Sequence, residues 1–263
     1  MEFNFSHPMT SYEFIAIIIS IVALILPFIQ KIYCYFFKNI KLKFIPNGQV
    51  KLLFNQSGGY LRLYGVYESE NKQSIIRNIT VKVNRINDNT IFTFTWSSFI
   101  SPVTQNFSNN NFIEAIEIAH PIIIAKDSLF PAFIEFSDPS ASSQTAIYNC
   151  LEPLVNQIPT IGVKTNSFED ACKIYTKNQL YINAKNIINN EFIWKTGKYN
   201  LEIEVEYNSK KKSFFYNFEI SEHEYKQLQN NIDEAIICNL KKSFCLSLNF
   251  YTANLALHEK KII

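Results

Sequence analysis

The sequence predicts a mainly β protein of the α+β class, in which an N-terminal transmembrane helix precedes one β-rich domain. Three observations support this prediction. Residues 14–29 form an almost unbroken apolar run, and apolar and polar residues alternate in short segments from residue 41 to residue 220. Apolar residues at helical spacing occur at about residues 140–178 and 221–239. We therefore expect a β domain over residues 38–263 with a helical insertion and a C-terminal helix.

The apolar run reads FIAIIISIVALILPFI and is interrupted only by Ser20 and Pro27. With the aromatic residues around it, the run offers roughly 20 residues of helix, the length that crosses the hydrocarbon core of a bilayer. A surface helix of a soluble protein carries a polar stripe, which this segment lacks. We predict a transmembrane helix with its flank over residues 12–37. The predicted anchor residues are Phe14, Ile17, Ile21, Leu24 and Phe28.

The charged residues around the run predict its orientation. Residues 1–13 contain no Lys or Arg, whereas four lysines follow the run. Lysines in short flanks stay on the cytoplasmic side, and near the surface they attract anionic lipid headgroups. We therefore predict a single-pass protein of the inner (plasma) membrane, with a tail of residues 1–11 outside, a cytoplasmic domain and membrane lipid as one partner. The lysines concerned are Lys31, Lys38, Lys41 and Lys43.

Two alternatives to a retained anchor stay open, a cleaved signal peptide and a buried core helix. A signal peptide has a basic start, a shorter apolar core and a small-residue cleavage site, and none of these occurs here. The five cysteines are widely spaced, without a CxxC pair, which is typical of a reducing compartment. Four N-x-S/T sequons are about as many as 29 asparagines produce by chance, so they do not indicate secretion.

The alternating segments predict strands joined by turns. Residues 41–45 and 50–55 are expected to be separate strands, because Pro46-Asn47-Gly48 between them is a turn signal. Two clear hairpins and a last strand are expected at residues 75–96, 199–220 and 244–250.

Two capping signals predict where helices begin. Ser221 is followed three residues later by Glu224, and Ser167 by Asp170, which is the spacing of a capping box. Ser221 is therefore expected to start the C-terminal helix, and Ser167 a helix within the insertion.

The segment from Trp194 to Val205 resembles the penultimate strand of immunoglobulin-like and fibronectin-type sandwiches. In those folds a Gly-x-Tyr motif, here Gly197-Lys198-Tyr199, precedes an alternating strand whose hairpin partner closes the sheet. The resemblance covers about thirty residues and implies an immunoglobulin-like β-sandwich. The Cys–Trp–Cys pattern of antibody domains is absent from the sequence. The alternating residues of the strand are Leu201, Ile203 and Val205.

The whole chain resembles uncharacterised bacterial membrane proteins that have one N-terminal span and a cytosolic β domain. Some proteins of that plan are encoded near antiviral defence systems. The resemblance therefore implies a location and a general architecture, and no functional residue carries over from it.

The sequence contains no motif that indicates a chemistry. It lacks the P-loop, the dinucleotide-binding glycine motif, the HExxH zinc motif and the nucleophile elbow. Glu222-His223-Glu224 combines acid and base groups, but consecutive helical residues point about 100° apart, so they fit a solvated first turn better. The net charge is only +2, without the basic footprint of a nucleic-acid-binding protein. We predict no enzyme activity, no cofactor, no metal site and no nucleic-acid partner.

Glu202, Glu204 and Glu206 are the candidate partner surface, because they share one strand face at a spacing of about 7 Å. The alternative is a solvated strand that discourages edge pairing.

Two functions stay open, with an enzyme as a distant third. The first is a non-enzymatic module that recruits or senses a protein partner at the membrane. The second is a membrane-perturbing effector, of antiviral defence for example, that acts when a partner or ligand gathers it into a homo-oligomer. Because residues 14–29 contain no ionisable side chain, one copy offers no polar path through the bilayer.

Overall fold

The structure is a computed structural model that describes residues 10–108, 111–138, 140–165 and 167–260. It confirms a mainly β fold with an N-terminal apolar helix and several further helices. The helices are α1 (Ser11–Phe37), α2 (Ala141–Val155), α3 (Ile158–Lys164), α4 (Phe168–Thr176), α5 (Gln179–Glu191) and α6 (Glu222–Ser243). The strands are β1 (Lys41–Asn55), β2 (Gly58–Glu70), β3 (Ser74–Arg85), β4 (Thr90–Ser108), β5 (Asn111–Ile118), β6 (Ile122–Ile124), β7 (Ser128–Ser137), β8 (Gly197–Tyr207), β9 (Lys210–Ile220), β10 (Ala253–Ala256) and β11 (His258–Glu259).

Helix α1 begins at a capping box in which the Glu13 carboxylate accepts a hydrogen bond from the Thr10 backbone N–H at 2.8 Å. Its segment Ser11–Tyr33 is long and apolar enough to span a membrane, and its most apolar stretch is not buried against the rest of the protein. A membrane anchor and a signal sequence both have such a helix. The exposure of the helix separates it from the core helices of soluble proteins, which are mostly buried.

The described strands form one antiparallel sheet that curls into a nearly closed barrel. Their order is β10-β1-β2-β7-β4-β3-β8-β9-β11, with β5 beside β4 and β6 beside β3. Where β9 approaches β1, the Tyr216 hydroxyl donates a hydrogen bond to the Phe44 carbonyl oxygen at 3.3 Å. The immunoglobulin-like sandwich expected from the sequence is not confirmed, because every described strand belongs to this single sheet.

A closure segment, residues 253–260, connects the two edges of the curled sheet. Its strand β10 pairs with β1 at residues 49–52, and its strand β11 pairs with β9. Between the two strands, the Leu257 N–H donates to the Gly48 carbonyl oxygen at 2.8 Å. Leu255 and Leu257 are buried in the core. The segment therefore satisfies backbone groups on both edges and also contributes apolar contacts.

Strand β1 is one strand, so the predicted turn within it is wrong. Residues 41–46 and 50–55 both pair with β2, and the register shifts between Pro46 and Val50, which indicates a β-bulge. Gly48 has φ +83°, a left-handed conformation that glycine adopts without steric cost. The glycine bends the strand there, and both flanking segments keep the same partner strand.

The strand expected at residues 244–250 is wrong as well. Helix α6 ends in this region, and a loop follows it. The Glu234 carboxylate of α6 accepts a hydrogen bond from the Asn249 N–H at 2.8 Å. The Asn231 amide oxygen of α6 accepts one from the Tyr251 N–H at 2.7 Å. Polar side chains of the helix therefore bind the loop backbone in place of a partner strand.

The helical insertion is longer than predicted, because it continues beyond residue 178 through α5. The Asn178 side chain starts this helix by accepting a hydrogen bond from the Leu180 N–H at 2.9 Å. Helix α5 packs against α2 and α6, and α6 packs against β1 and β10. The predicted C-terminal helix is confirmed, including its capping box at Ser221 and Glu224. The buried residues of α5 are Tyr181, Ala184 and Ile188.

The junction between the helices and β8 is fixed by two aromatic side chains. Trp194 is fully buried, stacks on Phe94 with ring centroids 5.5 Å apart, and donates from Nε1 to the Leu53 carbonyl oxygen at 3.0 Å. The Tyr199 hydroxyl donates to the Lys195 carbonyl oxygen at 2.6 Å. The Gly-x-Tyr motif therefore ties the start of β8 to the residues that leave the helical layer.

The closure segment predicts a large effect of one substitution. Leu255→Ala should lower the free energy of unfolding by about 2–5 kcal/mol, because it leaves a cavity between the sheet edges. The matched control is Asn254→Ala on the exposed face of the same strand, which should change the free energy little. Urea unfolding of the full chain, followed by circular dichroism, measures both. Equal effects of the two substitutions would contradict a structural role for the segment.

Candidate functional site

The predicted anchor residues all lie on α1 with exposed side chains. Phe14 is 58% exposed and Phe28 is 64% exposed, and no described residue of the β domain covers the apolar stretch between them. A helix that is apolar all round requires lipid or another apolar surface around it. The other anchor residues, also exposed, are Ile17, Ile21 and Leu24.

The start of β1 and three turns share one end of the barrel, which we call the helix-proximal end. Strand register places the β2–β3, β6–β7 and β8–β9 turns there. The Asn71 side chain donates to the Asn39 carbonyl oxygen at 3.0 Å, and the Asn71 N–H donates to the Asp127 carboxylate at 2.9 Å. The link after α1 is therefore fastened to two of these turns.

The four predicted lipid-facing lysines lie in the last turns of α1, in the link after it and in β1. Lys31 and Lys38 are exposed, and Lys41 and Lys43 point outward from β1. Lys43 forms ion pairs with Glu68 and Glu70 of β2. The ammonium of Lys43 lowers the pKa of the Glu70 carboxyl below its ordinary value. Lys31, Lys38 and Lys41 therefore form no ion pair within the described residues, whereas the charge of Lys43 is largely compensated.

The three glutamates lie on the outer face of β8, as their alternation predicts, and Glu204 is ion-paired within the domain. The Lys211 ammonium lies 2.7 Å from one Glu204 oxygen, and the Lys82 ammonium 3.6 Å from the other. The hydrogen bond from Lys211 lowers the pKa of Glu204 below its ordinary value. Glu202 accepts a hydrogen bond from the Ser213 hydroxyl at 2.7 Å. A role of Glu202, Glu204 and Glu206 as a partner surface stays a prediction.

A cleft of about 630 Å³ opens where the barrel is incompletely closed, and we call it the seam cleft. Residues 43–46 of β1 form one wall, and residues 212–216 of β9 form the other. Within the described chain, residues 41–46 pair only with β2, and residues 210–214 pair only with β8. Two strand edges that are each paired on one side therefore face each other across the cleft.

Backbone groups on both walls point into the seam cleft. The Lys212 ammonium donates to the Leu42 carbonyl oxygen at 2.6 Å, so this oxygen faces the cleft. On the other wall, the Phe215 carbonyl oxygen accepts from the Lys260 N–H at 2.9 Å. Burial raises the pKa of Tyr216 to about 12, so its hydroxyl stays protonated and donates to β1. Side chains thus bridge this stretch of the seam in place of strand pairing.

The lining of the seam cleft combines an apolar floor with a basic rim. Phe44 lies 6.1 Å from Phe214 between ring centroids, and the Lys212 ammonium lies 5.2 Å from the Phe214 ring. Lys260 adds positive charge at the rim, whereas the charge of Lys43, also in the lining, is compensated by Glu68 and Glu70. Glu259 is the single carboxylate in the lining. The lining therefore presents apolar side chains together with positively charged ones.

The carboxylates beside His223 have structural partners in the described part of the chain. No group of three or more His, Cys, Asp or Glu side chains there has the geometry to hold a metal ion. Glu224 caps α6, and Glu222 accepts a hydrogen bond from the Thr196 hydroxyl at 3.0 Å, so both carboxylates beside His223 have structural partners. A second cleft of about 570 Å³ lies between the β1–β2 turn and α2, and Glu152 is its only charged lining residue.

The seam cleft was not predicted from the sequence, although one local pattern of residues indicates it. Phe214, Phe215 and Tyr216 are three successive aromatic residues, which breaks the alternation of a strand with one solvated face. Phe215 is the extra aromatic residue, and it lines the cleft. Aromatic side chains on both faces of a strand indicate that each face meets an apolar surface.

Comparison of the chain with protein-family models, with curated proteins and with solved structures gave no match. The functional inferences below therefore rest on the residues and geometry of this chain.

The ion pairs of Glu204 predict a pH-dependent effect. Because the folded protein holds the pKa of Glu204 below 4.5, its ordinary value, the stabilisation is present above this pH and disappears as the pH falls through the lowered pKa. Glu204→Gln should lower the free energy of unfolding at neutral pH by less than about 1 kcal/mol, and the difference should vanish in acid. Urea unfolding across pH measures it. Glu206→Gln, which removes no ion pair of the described residues, is the control, and an equal loss there would contradict the pairing.

Proposed function

We propose that this protein is a non-enzymatic, single-pass protein of the inner membrane whose cytosolic β domain binds an extended segment of a protein partner. The observation that carries the proposal is the pair of one-sided strand edges across the seam cleft. Helix α1 serves as the anchor, and the lysines after it favour a cytosolic domain. The module acts by holding its partner at the membrane surface.

Strand addition is the binding mode that fits the seam cleft. An extended peptide that joins a sheet edge gains backbone hydrogen bonds, and pockets for alternate side chains provide specificity. Here a peptide strand would take the place of the Lys212 side chain on the Leu42 carbonyl oxygen, and the aromatic floor would receive apolar side chains. The lysines at the rim favour a peptide with acidic residues. Immunoglobulin-like domains, which the β8–β9 hairpin resembles in sequence, also bind partners at strand edges and loops.

Photocrosslinking in cells tests the location of the binding site. A benzophenone amino acid at Phe215 of the full chain should crosslink to a defined partner, because this side chain lines the seam cleft. The same amino acid at Ile182, an exposed position on α5, is the matched control. Mass spectrometry identifies the adducts. The same adducts at both positions, or none at Phe215, would contradict binding at the seam.

Ser213→Pro tests strand addition itself. Phe215 directs its carbonyl oxygen into the seam, so Ser213, two residues earlier, directs its N–H there too. Proline removes this N–H and leaves the hydrogen bonds to β8 in place, as on other edge strands. Crosslinking from position 215 should be lost in Ser213→Pro and retained in Ser213→Ala, which keeps the N–H. Retention in both variants would exclude pairing along β9.

A second candidate function, a membrane-perturbing effector, is supported by one feature of α1. Ala16 and Ser20, four residues apart, line a shallow groove on the exposed helix. Small residues at this spacing let helices pack closely in membranes. A partner or ligand that gathers several β domains would bring such helices together as a homo-oligomer and disturb the bilayer.

A membrane-potential dye separates the two functions. An effector should depolarise cells when it is overexpressed, and deletion of residues 1–30 should abolish the effect because it removes most of the anchor. A module that only recruits a partner should leave the potential unchanged. Depolarisation by the variant that lacks residues 1–30 would contradict a role of α1 in disturbing the bilayer.

A further inference from the structure

The helix-proximal end carries exposed apolar side chains where a half-buried strand normally carries polar ones. Ile123 of β6 is 63% exposed between two buried isoleucines, so both faces of this short strand are apolar. Leu129 at the start of β7 is also 63% exposed and lies opposite Glu68 of β2. The two side chains flank the β6–β7 turn, which the Asn71 side chain and backbone connect to the link after α1.

Lysines lie at the same end of the barrel as these apolar side chains, and the carboxylates at the β2–β3 and β6–β7 turns already have partners. Glu68 and Glu70 pair with Lys43, and Asp127 pairs with Lys126 and accepts the Asn71 N–H. In contrast, three exposed lysines of this end make no ion pair within the described residues. These are Lys38, Lys41 and Lys210. The surface therefore combines apolar protrusions with uncompensated positive charge.

The link between α1 and β1 is too short for this end to leave the end of the helix. Residues 38–40 span at most about 10 Å when extended. Ile40 packs against the core, and Asn39 is hydrogen-bonded to Asn71, so the link is also fixed in direction. A bilayer that surrounds the end of α1 would therefore lie beside Ile123 and Leu129 at a high effective concentration.

We infer that the helix-proximal end docks onto an anionic bilayer, with Ile123 and Leu129 at the headgroup–acyl boundary and lysines on the headgroups. The inference rests on the proposed role of α1 as a membrane anchor. Apolar side chains that enter this boundary reach about 5–10 Å into it, and anionic lipid adds electrostatic attraction. This contact fixes the orientation of the β domain relative to the bilayer. It also places the seam cleft, which begins at Lys43, beside the membrane surface.

Tryptophan quenching in nanodiscs tests the docking. The full chain with Ile123→Trp or Leu129→Trp is placed in nanodiscs of phosphatidylglycerol and phosphatidylcholine with bromines near the headgroup end of the acyl chains. Fluorescence of both variants should fall relative to unbrominated nanodiscs. Ile91→Trp is the matched control, because Ile91 is also 63% exposed but lies beside the β3–β4 turn at the opposite end. Quenching no stronger than that of Ile91→Trp would overturn the docking.

Two further measurements keep the outcomes distinct. Stable incorporation into the nanodisc, measured by co-elution, tests the anchor, so incorporation without quenching rejects docking alone, and failed incorporation rejects the anchor on which docking rests. Hydrogen exchange of the unsubstituted chain should be slower over residues 122–131 in anionic than in phosphatidylcholine nanodiscs. Equal exchange in both would overturn the predicted dependence on anionic lipid, whatever the tryptophan variants do.

Discussion

Backbone pairing of the closure segment with both β1 and β9 is the interaction on which the rest of the structure depends. A sheet that curls this far brings its edges together, and their N–H and C=O groups must be paired or solvated. The closure segment pairs with both edges at once, and Leu255 and Leu257 fill the space behind it. Where the closure segment ends, the side chains of Lys212 and Tyr216 bridge β9 and β1. The seam cleft is thus the part of the barrel that the closure segment leaves open.

The same topology sets the relation between the domain and α1. Three turns meet the start of β1 at one end of the barrel, and Asn71 binds both the link and the β6–β7 turn. The seam cleft begins at this end, because Lys43 and Phe44 lie just after the link. The apolar helix α1, a basic and apolar surface and an open strand edge are therefore neighbours in space. This proximity supports a protein that binds its partner close to a membrane.

Several charges in this domain are compensated locally, which matters for how its surfaces are interpreted. Glu204 is held between Lys82 and Lys211, so the alternating glutamates of β8 present less negative charge than their sequence implies. Lys43 is likewise neutralised by Glu68 and Glu70. Cross-strand pairs of this kind follow from register, which brings Lys82 beside β8. A candidate binding surface of this domain is therefore better identified by charged side chains that lack an ion pair than by the number of charged side chains.

The sequence by itself determined the elements whose signals are local. Its apolar run predicts α1, its alternation predicts β3 and β8, and Ser221 with Glu224 predicts the start of α6. Lys38 and Lys41 of the helix-proximal end were also predictable, because they follow the run closely, whereas only the fold brings Lys210 to the same end. Tertiary structure decided the rest: whether Gly48 reverses or bends the chain, that α6 side chains hold residues 244–250, and that β1 meets β9. The physical reason is that a backbone group can pair with any strand or polar side chain brought to it. Only the complete fold selects that partner.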